Sequence, residues 1–161
     1  MITRRVCIAG LAGIALKAAQ TTGLTPLNEQ GFRQMVAAHR GQVLLVDFWA
    51  TWCAPCRDEL PKLVTLFSAY KHKGLSLVAI SCDEPEQAAQ ASAFVNQQAA
   101  PLPHYIRRAN DDDQFINAVD PKWSGALPAL FLFDRTGRQA VSFIGETDMK
   151  KLEEALKRVL G

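Results

Sequence analysis

Two cysteines separated by two residues are the part of this sequence best suited to chemistry. Cys53 and Cys56 flank Ala54 and Pro55, just after an apolar run that ends at Trp49. On one helical turn this spacing brings the two sulfurs within bonding reach. A thiol at a helix N-terminus faces the positive end of the dipole, which favours the thiolate. We therefore predict that Cys53, at the exposed end, attacks a disulfide and that Cys56, one turn further in, resolves the mixed disulfide.

A static disulfide or a metal site could use the same pair. A zinc site built from cysteines usually needs a second close pair, but Cys7 and Cys82 each stand alone. The histidines are scattered along the chain: His39, His72 and His104. The sequence therefore predicts no metal and no cofactor beyond a redox-active Cys53–Cys56 disulfide. We interpret Cys82 as a buried small apolar residue, the alternatives being a redox sensor or a third working thiol.

Apolar strands and amphipathic helices alternate around this motif. Val43–Trp49 is a continuous apolar run, typical of a central strand covered on both faces, and Asp47 interrupts it. The other predicted elements are a helix from its N-cap Asn28 to about Arg40, helices at 53–70 and 84–98, a strand at 75–81, an extended piece at 101–106, a short helix opened by Asp111, a hairpin at 129–133 and 138–144, and a helix at 148–160 capped by Thr147. Strands separated by helices and closed by a hairpin predict an α/β sheet with helices on both faces.

The first 19 residues have the pattern of an export signal. A basic region at 1–5 precedes eleven apolar or glycine residues at 6–16. Such a run is shorter than the roughly 20 residues of a membrane-spanning helix but suits a signal-peptide core. We predict a signal peptide at 1–19, one domain at 20–161 and a periplasmic or otherwise extracytoplasmic location, with membrane tethering if the signal stays uncleaved. The alternative is a buried N-terminal helix.

Charge argues against nucleic acid as a partner. The chain has 18 basic and 16 acidic residues, and Arg4, Arg5 and Lys17 all lie in the predicted signal. Removing these three leaves 15 basic against 16 acidic residues, with no basic patch interleaved with aromatics. A hydrophobic content of 48% with 21% charged residues is an ordinary globular balance. We expect one globular domain that is a monomer.

The segment VDFWATWCAPCRDELP strongly resembles the active-site segment of the thioredoxin superfamily, including a helix proline at Pro61. Together with LVAISCDEP and DPKWSGALPALFLFDRTGR, it is similar to TlpA- and ResA-like exported reductases, which include cytochrome c maturation thioredoxins. The similarity spans about residues 43–145. It implies a thioredoxin-like fold, with a central mixed sheet flanked by helices on both faces. The cytochrome-specialised branch typically has glutamate directly after the cis-proline, where this chain has Ala129, and this departure weakens an assignment to haem maturation.

The resemblance also implies roles for residues outside the cysteine pair. It suggests that Asp47 is buried beneath the pair, where a raised pKa would let it exchange a proton with Cys56. The alternative is a solvated aspartate at a strand end. It further implies that Pro128 is a cis-proline facing the disulfide, which leaves the backbone of Leu127 free to pair with an extended substrate. An ordinary trans proline is the alternative there.

Three more residues are predicted to contact the substrate, namely Trp52, Ala54 and Pro55. Trp49 is predicted to lie in the core, whereas Trp123 could border the binding surface or simply pack. The predicted activity is reduction or isomerisation of disulfides in exported proteins, with re-reduction by a membrane thiol donor.

Other functions remain open alternatives. A thiol peroxidase would share the fold, but its Thr-x-x-Cys motif is not matched, because Thr51 stands two residues before Cys53. A copper carrier of this fold favours Cys-x-x-x-Cys with a distal histidine. A strong oxidase usually has a histidine between its cysteines, where this chain has Ala54 and Pro55.

Overall fold

The computed structural model describes residues 23–101 and 103–161. The predicted signal peptide at 1–19 lies outside these residues. In chain order the elements are β1 (Leu24–Leu27), α1 (Glu29–Ala38), β2 (Val43–Trp49), α2 (Ala54–Tyr70), β3 (Leu75–Ser81), α3 (Ala88–Gln97), β4 (His104–Arg107), α4 (Asp112–Val119), β5 (Ala129–Phe133), β6 (Gln139–Ile144) and α5 (Met149–Leu160). Short 3₁₀ turns occur at Lys71–Lys73 and Pro85–Gln87.

The six strands form one mixed sheet in the order β1-β4-β3-β2-β5-β6. The first four strands of that order run parallel, whereas β5 is antiparallel to β2 and β6 is antiparallel to β5. Every residue of β2 is buried, as its apolar run predicts. The register sets Asp47 between Ala79 of β3 and Leu130 of β5, so this carboxyl lies in the middle of the sheet.

Helices cover both faces of the sheet, which confirms the predicted α/β layering. On one face, Phe32 of α1 and Phe115 of α4 pack on Phe48 of β2. On the other face, α2 and α5 pack on the alternate residues of β2, such as Leu45. Since side chains alternate along a strand, Asp47 shares this second face with Leu45 and Trp49. None of the helices in the described part of the chain is both long and apolar enough to span a membrane.

Several predicted boundaries hold and others are wrong. Asn28 caps α1, which ends at Ala38, two residues early. The predicted helix at 84–98 is divided into a 3₁₀ turn and α3, because Pro85 starts the turn. Thr147 does not cap α5; its hydroxyl donates to Glu59 instead, and the carboxyl of Asp148 accepts the free N–H groups of the first turn.

Strand β1 is not among the predicted elements, because the sequence pattern at 20–25 predicts no regular element there. Only Leu24 and Leu27 of its four residues are buried, and Pro26 between them faces outwards. The strand is difficult to predict for two reasons. Four residues are too few to show a period-2 pattern, and Pro26 argues against a strand, although edge strands tolerate proline. Its pairing with β4 completes the sheet at that edge.

Candidate active site

The two cysteines lie at the junction between β2 and α2. Cys53 is the N-cap of α2, and its Sγ accepts a hydrogen bond from the backbone N–H of Cys56 at 3.3 Å. Pro55 fits the first turn because no intrahelical hydrogen bond is needed from its nitrogen. The two sulfurs lie at a bonding distance of 2.04 Å, with the Cα atoms 5.3 Å apart. The chain thus holds a disulfide against unpaired backbone N–H groups at the positive end of a helix dipole.

The predicted exposure of Cys53 is greater than the structure shows. Cys53 is 6% exposed and Cys56 is 1% exposed, so both are buried and Cys53 is only the more accessible. Trp49, Leu60 and half-buried Leu127 pack in the same apolar cluster as the disulfide, which explains its low exposure.

The loop before β5 reaches the same cluster. The peptide bond between Leu127 and Pro128 is cis, and the Pro128 carbonyl accepts a hydrogen bond from Gly145 N–H at 2.9 Å. Leu127 packs against the cluster that contains both cysteines. Within residues 23–101 and 103–161, the backbone of Leu127 takes part in no hydrogen bond. Its N–H and carbonyl are thus free to pair with an added strand.

Asp47 is buried on the sheet face that α2 covers. It is 1% exposed, and its Oδ2 has no hydrogen-bond partner among the described residues. Burial raises the pKa of this carboxyl well above its usual value, and the nearby charge of Glu59 raises it further. A solvated strand-end aspartate is therefore excluded. The carboxyl therefore keeps its proton to a higher pH than an exposed aspartate does.

Glu59 belongs to the same site and was missed by the sequence reasoning. It lies on α2 three residues after Cys56 and is buried. Its carboxyl accepts hydrogen bonds from the N–H and hydroxyl of Thr147, at 3.2 and 2.9 Å. Burial raises the pKa of Glu59, against the lowering effect of the Thr147 hydrogen bonds and of Lys62. The usable signal was spacing: the buried face of α2 runs from Cys56 through Leu60, and Glu59 lies on it.

A small cavity gives Glu59 a route to solvent. Its volume is about 160 Å³, and acidic side chains and a lysine surround its mouth. Besides Glu59, its lining comprises Pro55, Asp58, Lys62, Glu146, Thr147 and Met149. Glu59 therefore lines this cavity and also lies close enough to the buried Asp47 for its charge to raise the pKa of that carboxyl.

A larger groove is lined by Trp52, the residue before Cys53. Trp52, 63% exposed, forms one wall of a cavity of about 260 Å³. Leu127, Trp123 and Arg107 also line it, and Arg107 forms an ion pair with Asp112. Trp123 also packs on Phe48 in the core, at 4.8 Å between ring centroids. Trp123 therefore packs in the core and also lines this groove, and its role in binding stays a prediction.

The remaining predicted residues are distributed as follows. Ala54 is exposed and Pro55 half-buried beside Cys53, whereas Trp49 is fully buried in the core as predicted. Cys82 is half-buried at the wall of the groove. Burial raises the pKa of its thiol to about 12, although Arg107 opposes the shift. No group of three or more metal-binding side chains occurs in the part of the chain that the structure describes.

The chain is similar in sequence to curated proteins. The chain is 33% identical over 120 residues to thiol-disulfide oxidoreductase ResA of Bacillus thuringiensis strain Al Hakam, covering 74% of this chain and 65% of the relative. It is 28% identical over 130 residues to ResA of Geobacillus kaustophilus, covering 81% of this chain and 70% of that protein. The chain thus spans slightly less than two thirds of the Bacillus relative.

Solved structures agree on the fold. A thiol:disulfide interchange protein of the thioredoxin family from Chlorobium tepidum matches with a TM-score of 0.64 and 25% identity, covering 78% of this chain and 84% of that one. A DsbF homologue from Corynebacterium diphtheriae matches with a TM-score of 0.64 and 20% identity, over 76% and 75% of the two chains. The family model described as AhpC/TSA matches residues 16–140. The chain therefore belongs to the AhpC/TSA family and has its thioredoxin-like fold.

Proposed function

We propose that this chain is a thiol–disulfide oxidoreductase that reduces, or isomerises, disulfides in exported proteins. The observation that carries the proposal is the Cys53–Cys56 pair at bonding distance, at the start of α2 and in one cluster with Leu127. Relatives in Bacillus and Geobacillus named thiol-disulfide oxidoreductase support the same chemistry.

The reaction moves two electrons from the dithiol to the substrate. The Cys53 thiolate attacks one sulfur of a substrate disulfide, forming a mixed disulfide and releasing one substrate thiolate. The Cys56 thiolate then attacks Cys53 Sγ, forming the Cys53–Cys56 disulfide and releasing the second substrate thiolate. Cys53 attacks first because it is the more accessible of the two and caps the helix, where the dipole stabilises its thiolate.

The second step requires a base, because Cys56 is buried and must lose its thiol proton before it can attack. Asp47 takes the proton from Cys56, since burial raises its pKa and makes its carboxylate a stronger base than that of an exposed aspartate. Glu59, next to the small cavity, carries the proton onward towards solvent. In the reverse direction the same two carboxyls return it.

Substrate binding uses the surface around Cys53. An extended segment of the client pairs with the free backbone of Leu127, which aligns its disulfide with Cys53. The groove beside Trp52 takes a large side chain of the client, since two tryptophan rings line it.

Export and recharging follow from the N-terminal segment and the oxidising surroundings outside the cytoplasm. The basic and apolar pattern at 1–19 directs the chain across the membrane. There, each turnover leaves a Cys53–Cys56 disulfide, so a membrane thiol donor restores the dithiol.

Trapping tests the attack step. In the Cys56→Ser variant the mixed disulfide on Cys53 cannot be resolved, so adducts with a disulfide-containing protein such as insulin accumulate on non-reducing gels. Cys53→Ser forms none, and Cys82→Ser serves as the control that leaves the pair intact. Equal adduct yields from the first two variants, or no adducts at all, would contradict the mechanism.

Further readouts separate the alternatives. Stoichiometric copper binding without insulin reduction would favour a metal carrier, and rapid peroxide consumption would favour a thiol peroxidase. The hydroxyl of Thr51 argues against the latter, because it donates to Asp83 at 2.6 Å and not to the surroundings of Cys53.

A further inference from the structure

A buried carboxyl next to the active-site loop has no part in the steps above. Asp83 follows β3 and is 1% exposed. A buried carboxyl needs hydrogen-bond donors or a cation to offset the loss of water. In the described residues no salt bridge involves Asp83, and the guanidinium of Arg108 donates to its backbone carbonyl instead of its side chain.

The partner of Asp83 is Thr51, two residues before Cys53. The backbone N–H of Thr51 lies 3.0 Å from both carboxyl oxygens, and its hydroxyl donates to Oδ1 at 2.6 Å. The hydroxyl of Ser81 donates to Oδ2 at 2.7 Å. Both oxygens of Asp83 therefore act as acceptors, and three donors from two residues meet one side chain.

Asp83 is itself held firmly enough to serve as an anchor. Its backbone N–H donates to Ser81 Oγ at 3.1 Å, and Arg108 Nη1 donates to its carbonyl at 2.8 Å. Arg108 is fixed in turn, because its backbone N–H donates to Leu27 of β1. The anchor is therefore tied to the two edge-side strands of the sheet, β4 and β1, and not to the active-site loop alone.

The loop that Asp83 holds is the one that carries the chemistry. It begins after Trp49, whose carbonyl accepts from Cys82 N–H at 2.7 Å, and it ends at Cys53, whose N–H donates to Ala50 at 3.1 Å. Between them, the side chain of Trp52 is mostly exposed to solvent. Thr51 is thus the residue through which the loop is fastened to the neighbouring strand by side-chain hydrogen bonds.

We propose that Asp83 is a positioning residue, whose hydrogen bonds to Thr51 fix Trp52 and Cys53 relative to a bound substrate disulfide. The inference rests on the proposed function and deepens it. Thiol–disulfide exchange needs the attacking sulfur aligned with the bond that it breaks, and a misplacement of about 1 Å can cost on the order of 10²-fold in rate. The anchor keeps the loop in one place before the substrate arrives.

Three substitutions separate the contacts. Thr51→Val keeps the shape and the backbone N–H but removes the hydroxyl donor. Asp83→Asn keeps the shape but replaces one acceptor oxygen with N–H donors, which face the donors of Thr51 and Ser81. Thr51→Ser retains both donors and is the conservative rescue. Leu77→Ala, in the core cluster beneath α2 and α5, is the control for loss of stability alone.

Two rates are measured on the folded, reduced proteins at equal concentration. The first is the single-turnover rate of insulin reduction, and the second is the rate of Cys53 alkylation by iodoacetamide as a function of pH, read by mass spectrometry. We expect the insulin rate to fall about 10- to 100-fold in Thr51→Val and Asp83→Asn. Their Cys53 alkylation profile shifts along the pH axis, whereas Thr51→Ser and Leu77→Ala follow the wild type in both measurements.

Different results would contradict the positioning role and the proposed function. Wild-type rates and profiles in both Thr51→Val and Asp83→Asn would overturn the positioning role, as would an equal loss of rate in Leu77→Ala. A wild-type chain that does not reduce insulin would refute the proposed function alone. The alkylation profiles, which need no substrate protein, would still show whether Asp83 positions Cys53.

Discussion

Asp47 is a carboxyl placed where water cannot reach it, with one oxygen unpaired among the described residues and with Glu59 close enough to raise its pKa. In Asp47→Asn the side chain keeps its shape but cannot take the Cys56 proton. We expect resolution of the mixed disulfide to slow by about 10²-fold and to lose its dependence on pH where Asp47 titrates. Stopped-flow tryptophan fluorescence from pH 5 to 9 measures this step. Asp58→Asn, an exposed carboxyl on the same helix, is the control, and equal slowing there would contradict the assignment.

The same pKa makes a statement about stability. The folded chain keeps a proton on Asp47 at pH values where the unfolded chain, with an aspartate pKa of about 3.9, has released it. The free energy of unfolding therefore falls as the pH rises from about 4 through the raised pKa of Asp47. Urea titrations of the oxidised proteins measure this free energy. As the pH rises, we expect the free energy of unfolding of Asp47→Asn to increase relative to that of the wild type, by about 1.4 kcal/mol per pKa unit of the shift. If the difference in free energy of unfolding between Asp47→Asn and the wild type does not increase with pH, burial does not perturb the pKa of Asp47.

Cys82 illustrates why position near the site does not make a thiol reactive. Its pKa of about 12 leaves almost no thiolate at neutral pH, even though the residue borders the groove beside Trp52. We expect iodoacetamide to label Cys53 of the reduced protein long before Cys82, as peptide mapping by mass spectrometry would show. Cys82→Ala should leave insulin reduction unchanged. Labelling of both residues at similar rates would place Cys82 among the working thiols.

At the scale of elements, the turn between β2 and α2 presents a tryptophan to solvent beside the disulfide. Trp52 is the more exposed of the two large apolar side chains that stand out from the described surface, so truncation to alanine costs the fold little. A tryptophan buried by a partner often contributes 2 kcal/mol or more, or about 30-fold in affinity. We expect Trp52→Ala to raise the KM for insulin to about that extent while leaving reaction with oxidised glutathione nearly unchanged, because that small disulfide does not fill the groove. Equal losses with both substrates would indicate a change in Cys53 itself.

The sequence predicts an element well when the element's own residues show a clear apolar pattern. The apolar run of β2 and the helical spacing of α2 are long enough to identify both, and they place the cysteine pair at their junction. Glu59 was missed because an acid on a helix is ordinarily assigned to solvent, although its distance from Cys56 puts it on the buried face.

Long-range contacts leave even less trace in the sequence. Thr51 and Asp83 are 32 residues apart, and only the parallel register that sets Trp49 beside Ser81 brings the two loops together. Nothing in the sequence near either residue specifies that register. The hydrogen-bonded anchor therefore became visible only once the ends of β2 and β3 were placed side by side.

Across the whole molecule, the active-site loop lies at one end of the sheet, and a second group of hydrogen bonds between loops lies at the opposite end. The C-terminal ends of β2 and β3 carry the active-site loop and its anchor, whereas their N-terminal ends begin at Val43 and Leu75. There the guanidinium of Arg135, from the β5–β6 turn, donates to the carbonyls of Gly41 and Lys73 at 2.9 and 3.0 Å. These bonds join three connections that are far apart in sequence, so they act on the fold and not on the disulfide.

Arg135→Ala tests this separation, and Arg138→Ala in the same turn is its matched control. Removing Arg135 breaks two hydrogen bonds to backbone carbonyls, each contributing about 0.5–1.5 kcal/mol, so we expect unfolding to become easier by about 1–3 kcal/mol. The exposed side chain of Arg138 forms an ion pair with Asp134 at 3.3 Å, which typically contributes about 0–1 kcal/mol, and a hydrogen bond to the hydroxyl of Thr136 at 3.2 Å, all within its own turn. Urea denaturation gives both free energies, and insulin reduction at low urea gives the activity. Because neither side chain approaches the active-site loop, both variants should reduce insulin at the wild-type rate. A slower reaction in Arg135→Ala under conditions where it is folded would mean that the two ends of the sheet are coupled.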